Sequence, residues 1–331
     1  MKTFFSLAEI PAGFGPTVAV IGNFDGIHLG HRQVIGAVIT EAKDKGYQSI
    51  AITFDPHPEQ FLRPERFTQN GQSFLLTPIP ERLRLLRLTG IDAVLILPFD
   101  DSLACLSARD CVKSILIDKL QVRSMHEGAN FRFGHRAEAG VEELAAFGRE
   151  FGFTLTVHHA VETHGLTVSS SAIRQLISAG DMRRTRWMLG RPFSIRSTPA
   201  RGRGIGTRLL VPTVNLAPYF SLLPAFGVYV TRLTISASGL PGSETDRCFQ
   251  SITNVGNRPT FGEPSFAIES HILNFEPIDL TEETPLELEF LHRLRPEIQW
   301  PNPEALKTQI MKDIAKAKRF HTLSQVLHRP S

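Results

Sequence analysis

The first half of the chain alternates between continuous apolar runs and segments whose apolar residues recur every three or four positions. Residues 17–22 (TVAVIG) form a run typical of a buried strand, and residues 34–39 then repeat apolar side chains with helical period before Gly46, a residue suited to end a helix. The same alternation predicts strands at 47–54, 91–99, 122–128 and 153–161, and helices at 81–90, 107–120 and 140–152. Alternating strands and helices predict a parallel sheet covered on both faces, with ligands at the carboxyl ends of the strands.

The pattern changes near residue 190. From there, short apolar segments are separated by turn residues, which predicts antiparallel strands in a small β-barrel or sandwich. These segments lie at 193–206, 226–236, 248–260, 266–275 and 286–294. A helix follows, with Asn302 as its N-cap and Pro303 at its first position. The sequence therefore predicts an α/β domain at residues 1–186 and a β domain at residues 187–331.

Composition and charge describe an ordinary globular protein. The chain has 331 residues, 42% hydrophobic and 21% charged, and its net charge of +3 is compatible with anionic small ligands without calling for nucleic acid. Cys105, Cys111 and Cys248 form no CxxC pair, which argues against a zinc site or a disulfide framework and favours a reducing cytoplasm. Glu9 and Pro11 interrupt the first apolar patch before it resembles a signal peptide, and no apolar run approaches the ~20 residues that span a bilayer.

The first candidate site is the segment GNFDGIHLGH, which follows the first predicted strand. Gly22 and Gly26 permit backbone geometry that other residues resist, and a helix begins near Gly30. A helix N-terminus offers unpaired N–H groups and about half a positive charge, so it is suited to bind an anion. His28 and His31 are three residues apart and are placed to donate hydrogen bonds to phosphate oxygens there. The alternative is that both histidines only satisfy local backbone groups.

The motif GxFDGxHxGH resembles the HxGH signature of nucleotidyltransferases, which transfer a nucleoside monophosphate and release pyrophosphate. Three further segments, TFDPHP (53–58), GANFRFGHRAEAG (128–140) and VSSSAIRQL (168–176), resemble the adenylyltransferase half of bacterial bifunctional riboflavin kinase/FAD synthetases. That half is a Rossmann-like domain whose Ser-Ser-Thr-x-x-Arg motif binds ATP phosphates, and the serine in place of threonine here keeps the hydroxyl. The resemblance implies two catalytic histidines, His28 and His31, and an ATP-binding set of Gly22, Phe24, Asp25, Gly30, Ser169, Ser170, Ser171 and Arg174.

Two further residues are candidates to bind the flavin. Asn130 matches a G-x-(D/N)-F-x-F-G pattern and is able both to donate and to accept hydrogen bonds at a ring edge. Phe54 is suited to stack on or support a flat flavin, although a place in the core is nearly as consistent with its position. His57 lies between two prolines, where it either contributes to the site or only orients the loop.

The second candidate site begins in the glycine-rich segment ARGRGIGTRLLVPTVNL (200–216). Three glycines, at positions 202, 204 and 206, are able to approach phosphates closely, but flexible loops share this composition. Thr213 and Asn215 are two residues apart, so in a strand their side chains face the same side. A hydroxyl and an amide oxygen are ligands that suit Mg²⁺.

Glu269 lies inside a predicted apolar strand, where a carboxylate without a partner is costly. Either Arg258 or another cation pairs with it, or it acts as a general base on a substrate hydroxyl in phosphoryl transfer. Its neighbours in the sequence do not decide between these alternatives.

The motifs PTxN, NxGxRPTF, ExHxL and LRPEIQW resemble the riboflavin kinase half of the same family, a β-barrel with a terminal helix, and the resemblance extends over residues 16–320. It implies that Thr213 and Asn215 hold Mg²⁺ with ATP and that Glu269 deprotonates the ribityl 5′-hydroxyl. It also implies that Gly202, Gly204, Gly206 and Thr213 bind ATP. The chain departs from the family at Ile205, Thr207 and Leu210, which replace arginine, arginine and glycine, and at residues 279–282 (DLTE instead of DLYG).

The sequence thus predicts a cytoplasmic bifunctional enzyme, with an adenylyltransferase domain at residues 1–186 and a kinase domain at residues 187–331. The resemblance implies that it phosphorylates riboflavin to FMN and adenylylates FMN to FAD, with ATP as the second substrate in both steps and Mg²⁺ as cofactor. No nucleic-acid or membrane partner is predicted, and no protein partner is inferred. The main alternative is an FMN adenylyltransferase whose degenerate barrel only binds flavin. Weaker alternatives are an HxGH transferase acting on another phosphorylated acceptor and a non-catalytic flavin carrier.

Overall fold

The computed structural model describes residues 1–69, 72–200, 213–236, 246–260, 263–274 and 280–327. The chain divides into two compact units between residues 172 and 173. This division falls inside a helix, before the domain boundary at residue 186 that the sequence predicts, and that boundary stays a prediction. Within the described ranges, no helix is both long and apolar enough to cross a bilayer.

The first unit is built on a six-stranded sheet in which every pair of neighbours is parallel. The strands of the first unit are β1 (Lys2–Phe4), β2 (Thr17–Ile21), β3 (Gln48–Asp55), β4 (Thr68–Gln69), β5 (Gln72–Ser73), β6 (Ala93–Pro98), β7 (Val122–Gly128), β8 (Thr154–His158), β9 (Glu162–Thr163) and β10 (Leu166–Thr167). The sheet order is β1-β6-β3-β2-β7-β8. The chain leaves β2 towards β3 and β6, and later returns to place β7 on the other side of β2. The strand order reverses at β2, which is where ligands bind in open parallel sheets.

Helices cover both faces of this sheet. They are α1 (Leu29–Lys45), α2 (Pro58–Leu62), α3 (Pro64–Phe67), α4 (Ile79–Arg87), α5 (Asp101–Ala104), α6 (Ala108–Asp110) and α7 (Val141–Phe151), together with a π-helix (Cys111–Lys119) and short 3₁₀ turns at Leu7–Glu9 and His135–Ala137. Two more helices follow: α8 (Ser170–Ala179), inside which the division between the units falls, and α9 (Met182–Leu189), which belongs to the second unit. The sequence predicts one helix over residues 107–120, and the structure instead continues α6 as a π-helix.

Strand β2 explains why the sheet is buried on both sides. All five of its residues are buried. Val18 and Val20 join an apolar cluster with Ile35 of α1, whereas Ala19 and Ile21 join a second cluster. Because successive side chains of a strand point to opposite faces, one continuous apolar run supplies both cores.

The second unit carries a six-stranded antiparallel sheet that curls into a half-barrel, where the sequence predicts a small antiparallel β-barrel or sandwich. Its strands are β11 (Phe193–Ser197), β12 (Thr213–Asn215), β13 (Gly227–Ile235), β14 (Arg247–Thr260), β15 (Glu263–Ile272) and β16 (Leu286–Pro296), in the order β11-β16-β13-β14-β15-β12. The C-terminal helix (Pro303–Leu327) begins at Asn302, whose Oδ1 accepts the Ala305 N–H at 2.8 Å, as the sequence predicts. Ala317 of this helix packs against one face of the sheet.

A buried cluster of hydroxyl side chains lies on the other face of this sheet, opposite the C-terminal helix. Thr231, Ser251, Thr253 and Ser270 are all 0% exposed. The Thr231 hydroxyl lies 2.8 Å from that of Ser251 and 2.7 Å from that of Thr253, which donates to Ser270 at 3.0 Å. These bonds join the three neighbouring strands β13, β14 and β15. They also give each buried hydroxyl a hydrogen-bond partner, without which its burial would be costly.

Candidate functional site

The HxGH segment forms the connection between the carboxyl end of β2 and the first turn of α1. Its backbone turns through positive φ angles at Phe24 (46°), Gly26 (94°) and Ile27 (40°). Non-glycine residues rarely adopt positive φ angles, and the residues that do adopt them cluster where a fixed loop shape is required. The segment therefore delivers the two histidines to the central strand end at which the strand order reverses.

His28 and His31 lie together at the N-terminus of α1. His28 is the N-cap, and its Nδ1 accepts the His31 N–H at 3.2 Å. The two rings stack with centroids 3.6 Å apart and planes 15° from parallel. Since Nδ1 of His28 acts as an acceptor, a neutral ring carries its proton on Nε2, where it is able to donate to an anion. Gly30 permits this arrangement, because a Cβ there would lie 3.2 Å from Cε1 of His28.

Asp25 links the segment to residues 76 and 77. The carboxylate is 1% exposed and accepts the Leu76 N–H at 3.0 Å, the Thr77 N–H at 2.8 Å and the Thr77 hydroxyl at 3.1 Å. The Thr77 hydroxyl in turn accepts the Gly26 N–H at 2.9 Å. The contacts of Asp25 thus fix the shape of the loop.

The serine segment reaches the same loop. The Ser170 hydroxyl donates to the backbone carbonyl of Asp25 at 2.8 Å, and the Ser169 hydroxyl accepts the Ala172 N–H at 3.2 Å. Ser171 is exposed, and Arg174 is one helical turn after Ser170 in α8. The structure thus brings the start of α8 to the HxGH loop.

The remaining predicted residues of the first site divide into supporting and exposed groups. Phe24 is 2% exposed, and its ring meets that of His31 edge-on at 5.4 Å. Phe54, near the end of β3, packs against the apolar cluster of Ile21, whereas Asn130, which follows β7, is exposed. His57 is the N-cap of α2, with its Nδ1 accepting the Glu59 N–H at 3.2 Å, so the structure gives it a loop-orienting contact.

The second site is a row of side chains across three antiparallel strands. Asn215 of β12 lies opposite Glu269 of β15, which lies opposite Asn254 of β14. Directly opposite residues point to the same face, with Cβ atoms about 4.5–5.5 Å apart. Thr213 lies on this face too, opposite His271. The strand register therefore brings together the predicted Mg²⁺ ligands and the predicted base.

Part of the second site lies outside the described residues. This applies to the glycines at 202, 204 and 206, to the departures at 205, 207 and 210, to Asp279 and to the side chain of Arg258. The predicted ATP-binding loop and the alternative pairing of Arg258 with Glu269 remain predictions.

Three residues that the sequence did not single out contribute to the sites. Thr77 closes the HxGH loop, and Asn254 extends the row beside Glu269. Glu127, at the end of β7, accepts the Ile21 N–H at 2.7 Å, and its complete burial raises the pKa of its carboxyl group well above the ordinary value. The signal for Asn254 is its place as the first residue of the motif NxGxRPTF, whereas the sequence around Thr77 carries no such signal.

Comparisons with known proteins assign this arrangement to a family. A family model for FAD synthetase matches residues 11–172, and a model for riboflavin kinase matches residues 189–321. The bifunctional riboflavin kinase/FMN adenylyltransferase of Pseudomonas fluorescens is 34% identical over 308 residues, which cover 91% of this chain and 92% of the relative. The chain belongs to the bifunctional riboflavin kinase/FMN adenylyltransferase family. The Escherichia coli K12 protein of the same name is 29% identical over 93% of this chain and 94% of its own length.

Membership of the riboflavin kinase/FMN adenylyltransferase family confirms the predicted family and fold class. It also confirms the prediction of an enzyme with both transferase activities. A solved structure described as a macrolide-efflux protein from Streptococcus pneumoniae has a TM-score of 0.83 and 23% identity, covering 96% of this chain and 98% of that one. At this identity the likeness shows the fold alone.

Proposed function

We propose that the two described sites carry the two reactions of this family. The second unit transfers the γ-phosphoryl group of ATP to riboflavin and forms FMN. The first unit then transfers AMP from another ATP to FMN, which forms FAD and pyrophosphate. The stacked His28–His31 pair at the N-terminus of α1 is the observation that supports the assignment of adenylyl transfer to the first unit.

Adenylyl transfer needs no general base, because the phosphate of FMN is already an anion. A phosphate oxygen of FMN attacks the α-phosphorus of ATP, and the bond to the bridging oxygen breaks as pyrophosphate leaves. His28 and His31 donate hydrogen bonds to the phosphates, and the N-terminus of α1 adds its partial positive charge. Arg174 contributes a further charge to the leaving pyrophosphate. Positioning and charge stabilisation then supply the rate enhancement.

The other residues of the first site bind and position the substrates. Asp25 and Phe24 hold the loop and the His31 ring through the contacts described above. Asn130 is assigned to the edge of the flavin ring, and Phe54 supports that site from β3. ATP-binding residues are Gly22, Phe24, Asp25, Gly30, Ser169, Ser170, Ser171 and Arg174.

Phosphoryl transfer to riboflavin does need a base, because the acceptor is a neutral hydroxyl. Glu269 accepts the proton of the ribityl 5′-hydroxyl while the oxygen attacks the γ-phosphorus, and ADP leaves as the bond to its bridging oxygen breaks. Glu269 is only partly buried, and the amides of Asn215 and Asn254 flank it in the row. This arrangement is suited to hold a carboxylate beside a bound alcohol.

The donors of the second site fit Mg²⁺. Thr213 and Asn215 present a hydroxyl and an amide oxygen on one face, and hard oxygen ligands of this kind suit the ion. Among the described residues, no three His, Cys, Asp or Glu side chains gather as a metal site, so phosphate and water oxygens would complete the coordination. When bound, Mg²⁺ neutralises charge on the transferring phosphates.

Three further assignments belong to this proposal. The glycines at 202, 204 and 206 bind the ATP of the kinase reaction with Thr213, and the departures at 205, 207 and 210 alter affinity without abolishing activity. The boundary between the adenylyltransferase and kinase domains lies between residues 186 and 187 of the chain. The enzyme works in the cytoplasm, in keeping with three free thiols at Cys105, Cys111 and Cys248.

A paired assay of two variants tests the assignment of the sites. E269A should lower the conversion of riboflavin to FMN by about two to four orders of magnitude, the range for a general base, and leave the conversion of FMN to FAD intact. H28A should lower FAD formation by about 100- to 1,000-fold and leave FMN formation intact. Each variant is the folding control for the other. Equal loss of both activities in a folded variant would contradict the assignment of that residue.

The same assay tests the main alternative for the second unit. If the wild-type enzyme with ATP forms FAD from FMN but no FMN from riboflavin, the barrel has lost kinase activity and only binds flavin. Formation of FMN from riboflavin would exclude that alternative.

A further inference from the structure

The backbone pairing between β2 and β7 stops short of the active-site loop. The register runs through Ala19 opposite Met125 and ends there, whereas β2 and β3 remain paired as far as Ile21. On the β3 side, the Gly22 N–H donates to the Ile52 carbonyl at 3.0 Å. On the β7 side, the next donor of β2 is the Ile21 N–H, and a carboxyl oxygen of Glu127 accepts it at 2.7 Å.

A side chain therefore replaces a backbone acceptor at the last residue before the HxGH segment. We propose that Glu127 is a positioning residue for adenylyl transfer, which fixes the end of β2 and thereby the place of His28 and His31. This inference rests on the proposed function of those histidines. Ile21 is followed directly by Gly22, where the loop begins, so a shift of the strand end is passed to the loop.

The surroundings of Glu127 favour a neutral acid in this role. The side chain is 2% exposed. Glu127 is two residues after Met125 in β7, so it shares a sheet face with Met125, which belongs to the same apolar cluster as Ala19 and Ile21. In the part of the chain that the structure describes, no ion pair reaches Glu127. His126 points to the opposite face, where its Nε2 lies 2.5 Å from a carboxyl oxygen of Glu41. Burial raises the pKa of Glu127 and so favours its neutral form, whose carbonyl oxygen still accepts the Ile21 N–H.

Two substitutions separate the acceptor from the shape of the side chain. E127Q keeps a neutral group with an oxygen acceptor, whereas E127M fills a similar volume with no comparable acceptor. E127L is prepared alongside as a second apolar variant. The kcat and KM for FMN are measured in FAD formation. Phosphorylation of riboflavin by the same polypeptide is the control for the amount of enzyme, and amide hydrogen exchange across the first unit is the control for its folding.

E127M should lower the kcat of FAD formation by about 10- to 100-fold, since displacement of reacting groups by 1 Å costs about 100-fold. Its KM for FMN should change less than about threefold, because the substitution removes no contact that binds the substrate before the reaction. E127Q should keep FAD formation within about threefold of wild type, and amide hydrogen exchange at Ile21 should rise in E127M but not in E127Q. Riboflavin phosphorylation should be unchanged in every variant.

Four results would overturn the inference. They are full FAD formation by E127M, an E127Q variant as impaired as E127M, a loss confined to the KM for FMN, and unfolding of the first unit in both apolar variants, which would make Glu127 a stability element only. A wild-type enzyme that forms no FAD from FMN would instead contradict the proposed function. The two failures are therefore distinguishable.

Discussion

Replacement of Gly30 by alanine tests whether the position of the His28 ring governs adenylyl transfer. A Cβ at residue 30 would lie 3.2 Å from Cε1 and 3.3 Å from Nδ1 of His28, so the ring must shift by a few tenths of an ångström. Stacking on His31, with centroids 3.6 Å apart, leaves little room on that side. Because a displacement of 1 Å costs about 100-fold in rate, a shift of about 0.3–0.5 Å predicts a fall of about four- to tenfold in the kcat of FAD formation.

Gly36 supplies a matched control in the same helix. It is exposed, and a Cβ there would meet nothing within 4 Å. G36A should stabilise the helix by about 1 kcal/mol through helix propensity and leave FAD formation unchanged. The assay follows AMP transfer to FMN in both variants. Riboflavin phosphorylation is the control for the amount of enzyme, and amide hydrogen exchange across the first unit is the control for its folding. Wild-type kcat in G30A, or equal losses in G30A and G36A, would refute the reasoning.

Two further predictions concern stability. T253V removes the hydroxyl that bridges Thr231 and Ser270 in the core and should destabilise the second unit by about 1–3 kcal/mol, whereas T253S keeps the hydroxyl and should lose only about 1 kcal/mol for one methyl group. Urea unfolding measures both, and equal losses would contradict a role for the hydroxyl bonds. Burial opposes ionisation of Glu41, but hydrogen bonds led by that of Lys45 lower its pKa from 4.5 to about 2. Its stabilising effect is therefore complete above pH 4.5 and disappears as the pH falls through about 2. As the pH falls over that range, the free energy of unfolding should decrease less in E41Q than in the wild type. The difference should be at most about 3 kcal/mol, because solvent screens part of the interaction. Identical acid unfolding of both proteins would exclude this contribution.

The sequence predicted the parts of the fold that depend on local patterns. The buried strand before the HxGH segment, the end of α1 at Gly46 and the Asn302 cap all follow from periodicity or from one residue's preference. Gly46 adopts a φ of 68°, which is why glycine marks that helix end. Strand β1 was not predicted, because three residues at a sheet edge carry no periodic signal, and only its pairing with β6 defines it.

In the candidate sites too, the sequence predicts the residues that are close in the chain and misses the partners that only the fold brings near. Thr213 and Asn215 are two residues apart, so a strand puts them on one face without any knowledge of the fold. Asn254 joins Glu269 only through cross-strand register, and a shift of one residue would turn its side chain to the other face. Thr77 is 52 residues from Asp25 in the chain, and their hydrogen bonds depend on how the loops fold. Local spacing in the sequence therefore identifies one residue of each contact, and its partner is known only once the strand register and the loop structure are known.

Under the proposed function, the two sites differ as the chemistry of the group that receives AMP or phosphate requires. The FMN phosphate brings its own negative charge, and the first site meets it with imidazole donors and a helix N-terminus. Riboflavin brings a neutral hydroxyl that must lose a proton, and the second site offers the carboxylate of Glu269 between two amides. Exchanging the two sets would place a carboxylate against an anionic acceptor and leave the alcohol without a base. The chemistry of the two receiving groups is therefore the reason to assign the donor-rich loop to one reaction and the carboxylate row to the other.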